Sequence, residues 1–376
     1  MSLMREMNNR ALQLGVPLSV QLDVTYRCNE RCVHCYLDHR DYGEMSTAEI
    51  KDLMRQMAEA GVFFLVLSGG EVFLRTDFFE LLEYARALSF CVKVKTNAFM
   101  VGEREAARLA RLHIDSVQVS VYSHRPEIHD AITKLPGSLK RTLTGIRLLR
   151  SHGVKVILAN VLMQQNLNDY AGVKALAREC GAEYTIDPTI TPMMDGDRGI
   201  VQLGIGASDL ENVFRDPGLV GNVEEFCKPP VAVDDDVLDE LPCSAGHTAC
   251  YVSPYGDLYP CVQFPLPSGN VRKQTFLDIW RNSTQLQEVR SIHARDLEGC
   301  SECWHVGSCT RCPGLAYMEG NMRGPSSADC EKSFARTGIP SLNMRRKAAA
   351  RDSLVQIQGF AEVLGSQMSA PCREAV

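Results

Sequence analysis

Two hydrophobic patterns alternate along the first half of the chain. Short runs of strand length, at 18–25, 62–67, 91–95, 116–121, 154–161 and 183–186, are separated by segments with helical spacing of apolar residues. The helical segments run from Ser46 to Gly61 and over 77–88, 103–112, 138–152 and 169–180. Ser46 with Glu49 three residues later has the form of a capping box, and Gly61 suits a helix end. The unbroken apolar run 62–67 predicts a strand buried on both faces. Strands alternating with helices predict a parallel sheet of right-handed βαβ units. Six such units are fewer than the eight that close a barrel, so an open α/β sheet is expected.

In parallel α/β sheets, chemistry gathers at the C-terminal ends of the strands. The first strand runs directly into Cys28-Asn-Glu-Arg-Cys32-Val-His-Cys35, three thiols at C-x3-C-x2-C. A four-iron cluster normally takes four thiolates, so three cysteines suggest a cluster with one iron open to a small ligand. The rival is a zinc knuckle, although zinc sites usually close four ligands tetrahedrally. The second strand ends in Ser68-Gly69-Gly70-Glu71. Glycines there would let backbone approach a ligand, and the carboxylate could pair with an ammonium group. Alone, the glycine pair would be a tight turn. Thr96 and Asn97, Ser120 and Asn160 close three further strands. Each has an ordinary strand-end explanation, but their shared location favours a common ligand.

Composition narrows the setting. A length of 376 residues leaves room for two or three domains at ~150 residues each. A net charge of −6 argues against a general nucleic-acid surface. No apolar run is long enough for a membrane, residues 1–14 lack a signal-peptide core, and Cys372 lies too far from the end for prenylation. Cytoplasm is expected. In that reducing compartment, fifteen cysteines read as metal ligands rather than disulfides. Cys91 and Cys180 lie in apolar segments and are expected to be core residues; Cys227 and Cys372 are spare.

Eight cysteines crowd the C-terminal half: Cys243, Cys250, Cys261, Cys300, Cys303, Cys309, Cys312 and Cys330. They suffice for two four-thiolate clusters, with two zinc ribbons as the structural rival. Residues 251–261, turning at Pro254-Tyr-Gly256, predict a hairpin that leads Cys261 into place. The Gly-, Pro- and Asp-rich stretch 192–240 predicts a linker or lid with short helices, and its acidic triplet Asp234-Asp-Asp236 a solvated loop. From Ser341 the tail is amphipathic and basic, as in Met344-Arg-Arg-Lys347 and Arg351.

The cysteine triplet followed by Gly-Gly-Glu resembles the radical S-adenosylmethionine (SAM) enzymes. The later cysteines resemble the SPASM extension, which carries auxiliary iron–sulfur clusters. The resemblance implies a partial (β/α)6 barrel with a C-terminal cysteine-rich SPASM domain. The regions would be 1–17 (extension), 18–190 (barrel), 191–240 (linker or lid), 241–335 (SPASM) and 336–376 (helical tail). It further implies that Cys28, Cys32 and Cys35 bind a 4Fe-4S cluster whose open iron is chelated by SAM. One electron would split SAM into methionine and a 5′-deoxyadenosyl radical, which removes hydrogen from a substrate. Gly69, Gly70 and Glu71 would hold the SAM amino group, and Thr96, Asn97, Ser120 and Asn160 its methionine and ribose parts. Cys243, Cys250, Cys261 and Cys312 would hold one auxiliary cluster; Cys300, Cys303, Cys309 and Cys330 would hold a second.

The chain departs from the pattern in places. His34 stands where an aromatic residue is usual, followed by Tyr36, and Val72 replaces a proline. Two residues, not three, separate Cys309 from Cys312. Val262 stands where anaerobic sulfatase maturases carry a catalytic aspartate, so crosslinking maturases of ribosomal peptides are the nearer layout. The expected substrate is such a peptide, with a tetrapyrrole-type small molecule as the alternative and a non-catalytic cluster protein as a third reading. About 17 residues before the first strand are too few for a fused recognition domain. A separate peptide-recognition protein, and an electron donor such as flavodoxin or ferredoxin, are the expected partners.

Overall fold

The computed structural model describes residues 3–230 and 235–348. Its centre is a parallel sheet of six strands: β1 (Ser19–Thr25), β2 (Phe64–Gly69), β3 (Cys91–Thr96), β4 (Ser116–Ser120), β5 (Val156–Val161) and β6 (Glu183–Asp187). Helices return the chain between strands: α1 (Leu3–Leu14) precedes β1, followed by α2 (Thr47–Glu59), α3 (Phe78–Ala87), α4 (Glu103–Arg111), α5 (Pro126–Thr133), α6 (Ser138–Ser151) and α7 (Tyr170–Glu179). The sheet is open, as six strands require.

Local chemistry accounts for these elements. The capping box of α2 is formed, with Ser46 and Glu49 each satisfying the other's backbone N–H. Ile50, Leu53, Met54 and Met57 then fall on one face of α2 and are buried. On β1, Val20, Leu22 and Val24 turn to the helices and are wholly buried, while Gln21 and Asp23 turn to the barrel interior. Arg75 pins the layers together: its guanidinium donates to the carbonyls of Val24 and Met45 and grips Asp77 through two nitrogens.

The expected hairpin forms, but it does more than deliver Cys261. Its first strand, β7 (Ala249–Val252), adds parallel to β1, pairing Val20 with Cys250. β8 (Asp257–Tyr259) and β9 (Gly269–Asn270) follow antiparallel. One nine-stranded sheet, β6-β5-β4-β3-β2-β1-β7-β8-β9, therefore runs from the barrel into the cysteine-rich region. Trp280 seals the join, wholly buried, with its indole N–H on the Gly15 carbonyl at 2.8 Å.

The stretch after β6 holds short helices, including α8 (Ala207–Phe214), Pro217–Val220, Val223–Phe226 and Asp235–Leu238. Asp235 and Asp236 thus begin a helical turn rather than a loop; Asp234 lies outside the described residues. Leu210, Val213 and Phe214 of α8 pack with Leu162 and with Ala335 of helix Ser327–Thr337. Residues 342–348 are helical; Arg351 and Cys372 lie outside the described residues. Cys91 and Cys180 are half-buried rather than core residues, Cys180 resting on the edge of the main cluster. Cys227 is also half-buried.

Candidate active site

The cysteine loop is held from two sides. α5, which the hydrophobic pattern did not reveal, ends beneath it. The carbonyls of Thr133 and Ile132 accept from the N–H groups of Arg31 and Val33 at 3.0 Å. These are the orphan carbonyls of a helix end, used here to fix the loop. On the other side, Gly69 and Gly70 meet the loop's leading residues. A Cβ on Gly69 would lie 2.1 Å from the Thr25 carbonyl oxygen, and one on Gly70 2.3 Å from that of Arg27. The glycine pair therefore admits the protein's own backbone, where an approach to a ligand was expected. Gly69 also holds φ +141, a conformation L side chains rarely adopt.

Glu71 is wholly buried and does not line the cavity. Its carboxylate accepts from the Thr96 hydroxyl and the Asn97 N–H, both at 2.8 Å, and from the Phe73 N–H at 3.1 Å. Burial pushes this carboxyl upward, and the three donors oppose the shift. Asn97 in turn donates to Asn29 inside the cysteine loop at 2.9 Å. The Gly-Gly-Glu stretch is thus a brace joining β2, β3 and the loop.

Cys28, Cys32 and Cys35 open on a cavity of about 480 Å³ at the C-terminal ends of the strands. Gly69, Gly70, Thr96, Asn97, Ser120 and Asn160 line the same cavity. Burial pushes the Cys28 thiol up to about 12 and raises Cys32 and Cys35 as well. Thiols buried there resist ionisation, which a bound iron centre would supply. Burial lowers His34 to about 4, so its ring is neutral and stacks edge-on against Tyr122 at 4.7 Å. Asn166 places both Tyr122 and Asn160, donating to the Tyr122 carbonyl at 2.8 Å and to the Asn160 carboxamide at 3.3 Å.

Other cavity residues carry chemistry that motif reading did not single out. Glu30, in the loop, is buried with Oε1 unpartnered, and burial pushes it up to about 7. Gln21, Lys95, Gln118, Thr185 and Asp187 project inward from β1, β3, β4 and β6. Barrel interiors are normally packed with branched apolar side chains. This one is polar, and the alternation in Gln-Leu-Asp-Val, Val-Lys-Val-Lys and Val-Gln-Val-Ser was the available signal. Behind it lies a buried chain: the hydroxyls of Tyr26 and Tyr251 are 2.5 Å apart, and Tyr251 donates to Asp23 at 3.0 Å. Burial pushes Asp23 up to about 6.

The C-terminal cysteines separate into two groups. Cys300, Cys303, Cys309 and Cys330 line one cavity of about 180 Å³; burial pushes Cys300 up to about 11, with Arg311 opposing the shift and the other three thiols adding to it. Cys261 is the common neighbour of Cys243, Cys250 and Cys312. The short Cys309-Thr-Arg-Cys312 spacing still sends its two thiols to different groups. Among the described residues no three His, Cys, Asp or Glu side chains converge as one ion would require; the loop triad and the Cys300 group instead border open volumes.

Family models match two parts of the chain: the radical SAM superfamily over residues 22–176, and SPASM, an iron–sulfur cluster-binding domain, over 243–304. The chain belongs to the radical SAM superfamily and carries a SPASM domain with iron–sulfur clusters. It is similar to mycofactocin maturase MftC of Mycobacterium tuberculosis (strain ATCC 25618 / H37Rv), 29% identical over 79% of this chain and 78% of that protein. It is 26% identical to the AdoMet-dependent heme synthase of Methanosarcina barkeri, over 81% of this chain and 93% of the other. In fold it resembles SuiB of Streptococcus suis bound to S-adenosylmethionine, with TM-score 0.69, 16% identity and coverage of 86% and 80%. No helix among the described residues is long and apolar enough to cross a membrane.

Proposed function

We propose that this radical SAM enzyme modifies a ribosomally made peptide. The bound cluster and SAM supply the chemistry: one-electron cleavage of SAM to a 5′-deoxyadenosyl radical that takes hydrogen from the substrate. Cys28, Cys32 and Cys35 would hold that cluster, and the strand-end residues from Gly69 to Asn160 would hold SAM. Cys243, Cys250, Cys261 and Cys312, and separately Cys300, Cys303, Cys309 and Cys330, would hold two auxiliary clusters. Glu71 would set the loop and strand end against SAM, its carboxylate reaching the amino group only as a fourth acceptor contact.

One observation carries the peptide reading. At Asp187, Thr189 and Gln263 the main cavity meets a second open cleft of about 330 Å³. Phe214, Phe226 and Leu315 give this cleft apolar walls, and Lys332 and Arg336 stand on it. A two-lobed trench suits an extended chain better than a compact ring. MftC and SuiB, the latter solved with the precursor peptide SuiA, lend the reading support from relatives. A peptide-recognition protein and a flavodoxin- or ferredoxin-type donor would complete the system.

The test is anaerobic incubation of reconstituted enzyme, SAM and reductant with short peptides encoded beside its gene, followed by mass spectrometry. A peptide mass change that needs SAM supports the reading. Turnover of a tetrapyrrole carboxylate, with every peptide unchanged, would replace it by the small-molecule reading that the heme synthase relative favours.

A further inference from the structure

We propose that Lys95 is the anchor for a carboxylate of the substrate. The proposal deepens the functional reading above and rests on it only for the kind of molecule that bears the carboxylate.

Among the described residues, Lys95 is the only lysine or arginine that lines the main cavity. It projects inward from β3, beside Gln118 on β4 and one residue before Thr96. It therefore sits a step deeper in the barrel than the residues assigned to SAM. Its ammonium donates to the Gln21 carboxamide oxygen at 2.9 Å, reaching past β2 to β1. Among the described residues that is its one hydrogen-bond partner, and neither Asp23 nor Asp187 hydrogen-bonds to it. An ammonium has three donors, so two remain for the cavity.

The neighbouring carboxylates are otherwise engaged. Asp23 accepts from Gln21 on one oxygen at 3.1 Å and from Tyr251 on the other at 3.0 Å. Asp187 accepts from the Thr189 N–H at 2.9 Å. Both act on Lys95 only through space, as does Cys261 from the SPASM side. A half-buried cation with one neutral carboxamide as its partner is incompletely compensated. An anion entering the cavity would complete it, and carboxylate is the anion that peptides and small organic acids both carry. Two carboxylates could reach this place, that of SAM and that of the substrate. The depth of Lys95 below the strand-end residues favours the substrate.

The test uses anaerobically reconstituted enzyme with SAM bound, and two matched pairs of probes. One pair is N-acetyl-phenylalanyl-tyrosine and its C-terminal amide; the other is 3-phenylpropionate and 3-phenylpropionamide. Equilibrium dialysis should show at least one acid binding about tenfold more tightly than its amide. Lys95→Met should abolish that preference, Lys95→Arg should retain part of it, and SAM affinity should change less than threefold. Equal binding of acids and amides, no binding of either acid, or a preference surviving in Lys95→Met would overturn the proposal. A tenfold loss of SAM affinity in Lys95→Met without any effect on acid preference would overturn it too, assigning the lysine to SAM. If only the phenylpropionate pair shows the Lys95-dependent preference, the anchor stands and the peptide reading fails.

Discussion

The Thr96 hydroxyl lies 2.8 Å from both carboxylate oxygens of Glu71, bridging the ends of β2 and β3 at the wall of the main cavity. The same carboxylate takes two backbone N–H groups, so all its partners are donors. Glu71→Gln would turn an amide N–H2 toward at least one of them and leave a buried donor unpaired. That costs about 1–3 kcal/mol. We expect a lower denaturation midpoint in the substituted protein, together with SAM binding weakened about tenfold or more. Unchanged stability would mean that the carboxylate is not the brace; unchanged SAM affinity would remove it from the SAM pocket.

The glycine pair gives a steric prediction. Gly70→Ala places a methyl group 2.3 Å from the Arg27 carbonyl oxygen, where neither backbone can yield freely. Overpacking of this kind costs about 1–3 kcal/mol, and here it displaces the cysteine loop itself. Gly206→Ala, at the N-cap of α8 with nothing within 4 Å, is the control and should be nearly neutral. Iron content and melting temperature of the two variants decide the matter. Equal behaviour would show that the close approach is not a constraint.

Arg75 holds Asp77 well below the usual carboxylate range, at about 2. Because the folded value lies below the unfolded one, the stabilisation is full above about pH 4 and is lost as pH falls toward 2. Solvent screening of this partly exposed pair reduces the full linkage value, so Asp77→Asn should cost about 1 kcal/mol at pH 7. The gap from wild type should narrow in urea titrations carried below pH 4. A gap that stays constant with pH would sink the ion-pair account.

Much of this was written in the local pattern. The six strands and the capping box at Ser46 follow from spacing alone, and the cysteine triplet lies where a strand end should carry chemistry. α5 escaped because its eight residues are too few to show a helical period; Pro126 at its first turn was the remaining signal. The parallel pairing of β7 with β1 joins residues more than two hundred positions apart, and no local pattern encodes such a partner. Lys95 was visible as the inward half of Val-Lys-Val-Lys. Apolar residues on alternate positions mark the strand itself, whereas a polar inward half marks a barrel interior that is not packed shut.

Metal content separates the cluster assignments. Reconstituted protein should hold about twelve irons, four in each of three thiolate-held clusters. Alanine at Cys28, Cys32 and Cys35 should remove about four of them and abolish SAM cleavage. Zinc in place of iron at the C-terminal thiols would refute the two auxiliary clusters, and surviving cleavage would refute the triad.

The two cysteine groups of the SPASM domain should also differ in what their loss does to the barrel. Cys250 sits on β7 and pairs with Val20 of β1, so a substitution there disturbs the sheet that carries the main cavity. Cys300 and Cys303 lie in a separate cavity reached through the later loops, and among the described residues they form no strand pairing with the barrel. Metal binding is part of the folding free energy of small cysteine-rich modules, so some loss of order is expected in either case. We expect Cys300→Ala with Cys303→Ala to lose about four irons and productive turnover. It should still release 5′-deoxyadenosine from SAM with a strong reductant, because the residues assigned to that step lie on the far side of β1. Measuring deoxyadenosine and modified product in the same soluble sample decides it. Full product would make this cluster dispensable, and loss of SAM cleavage with the first cluster intact would mean the shared sheet couples the two halves more tightly than its strand order implies.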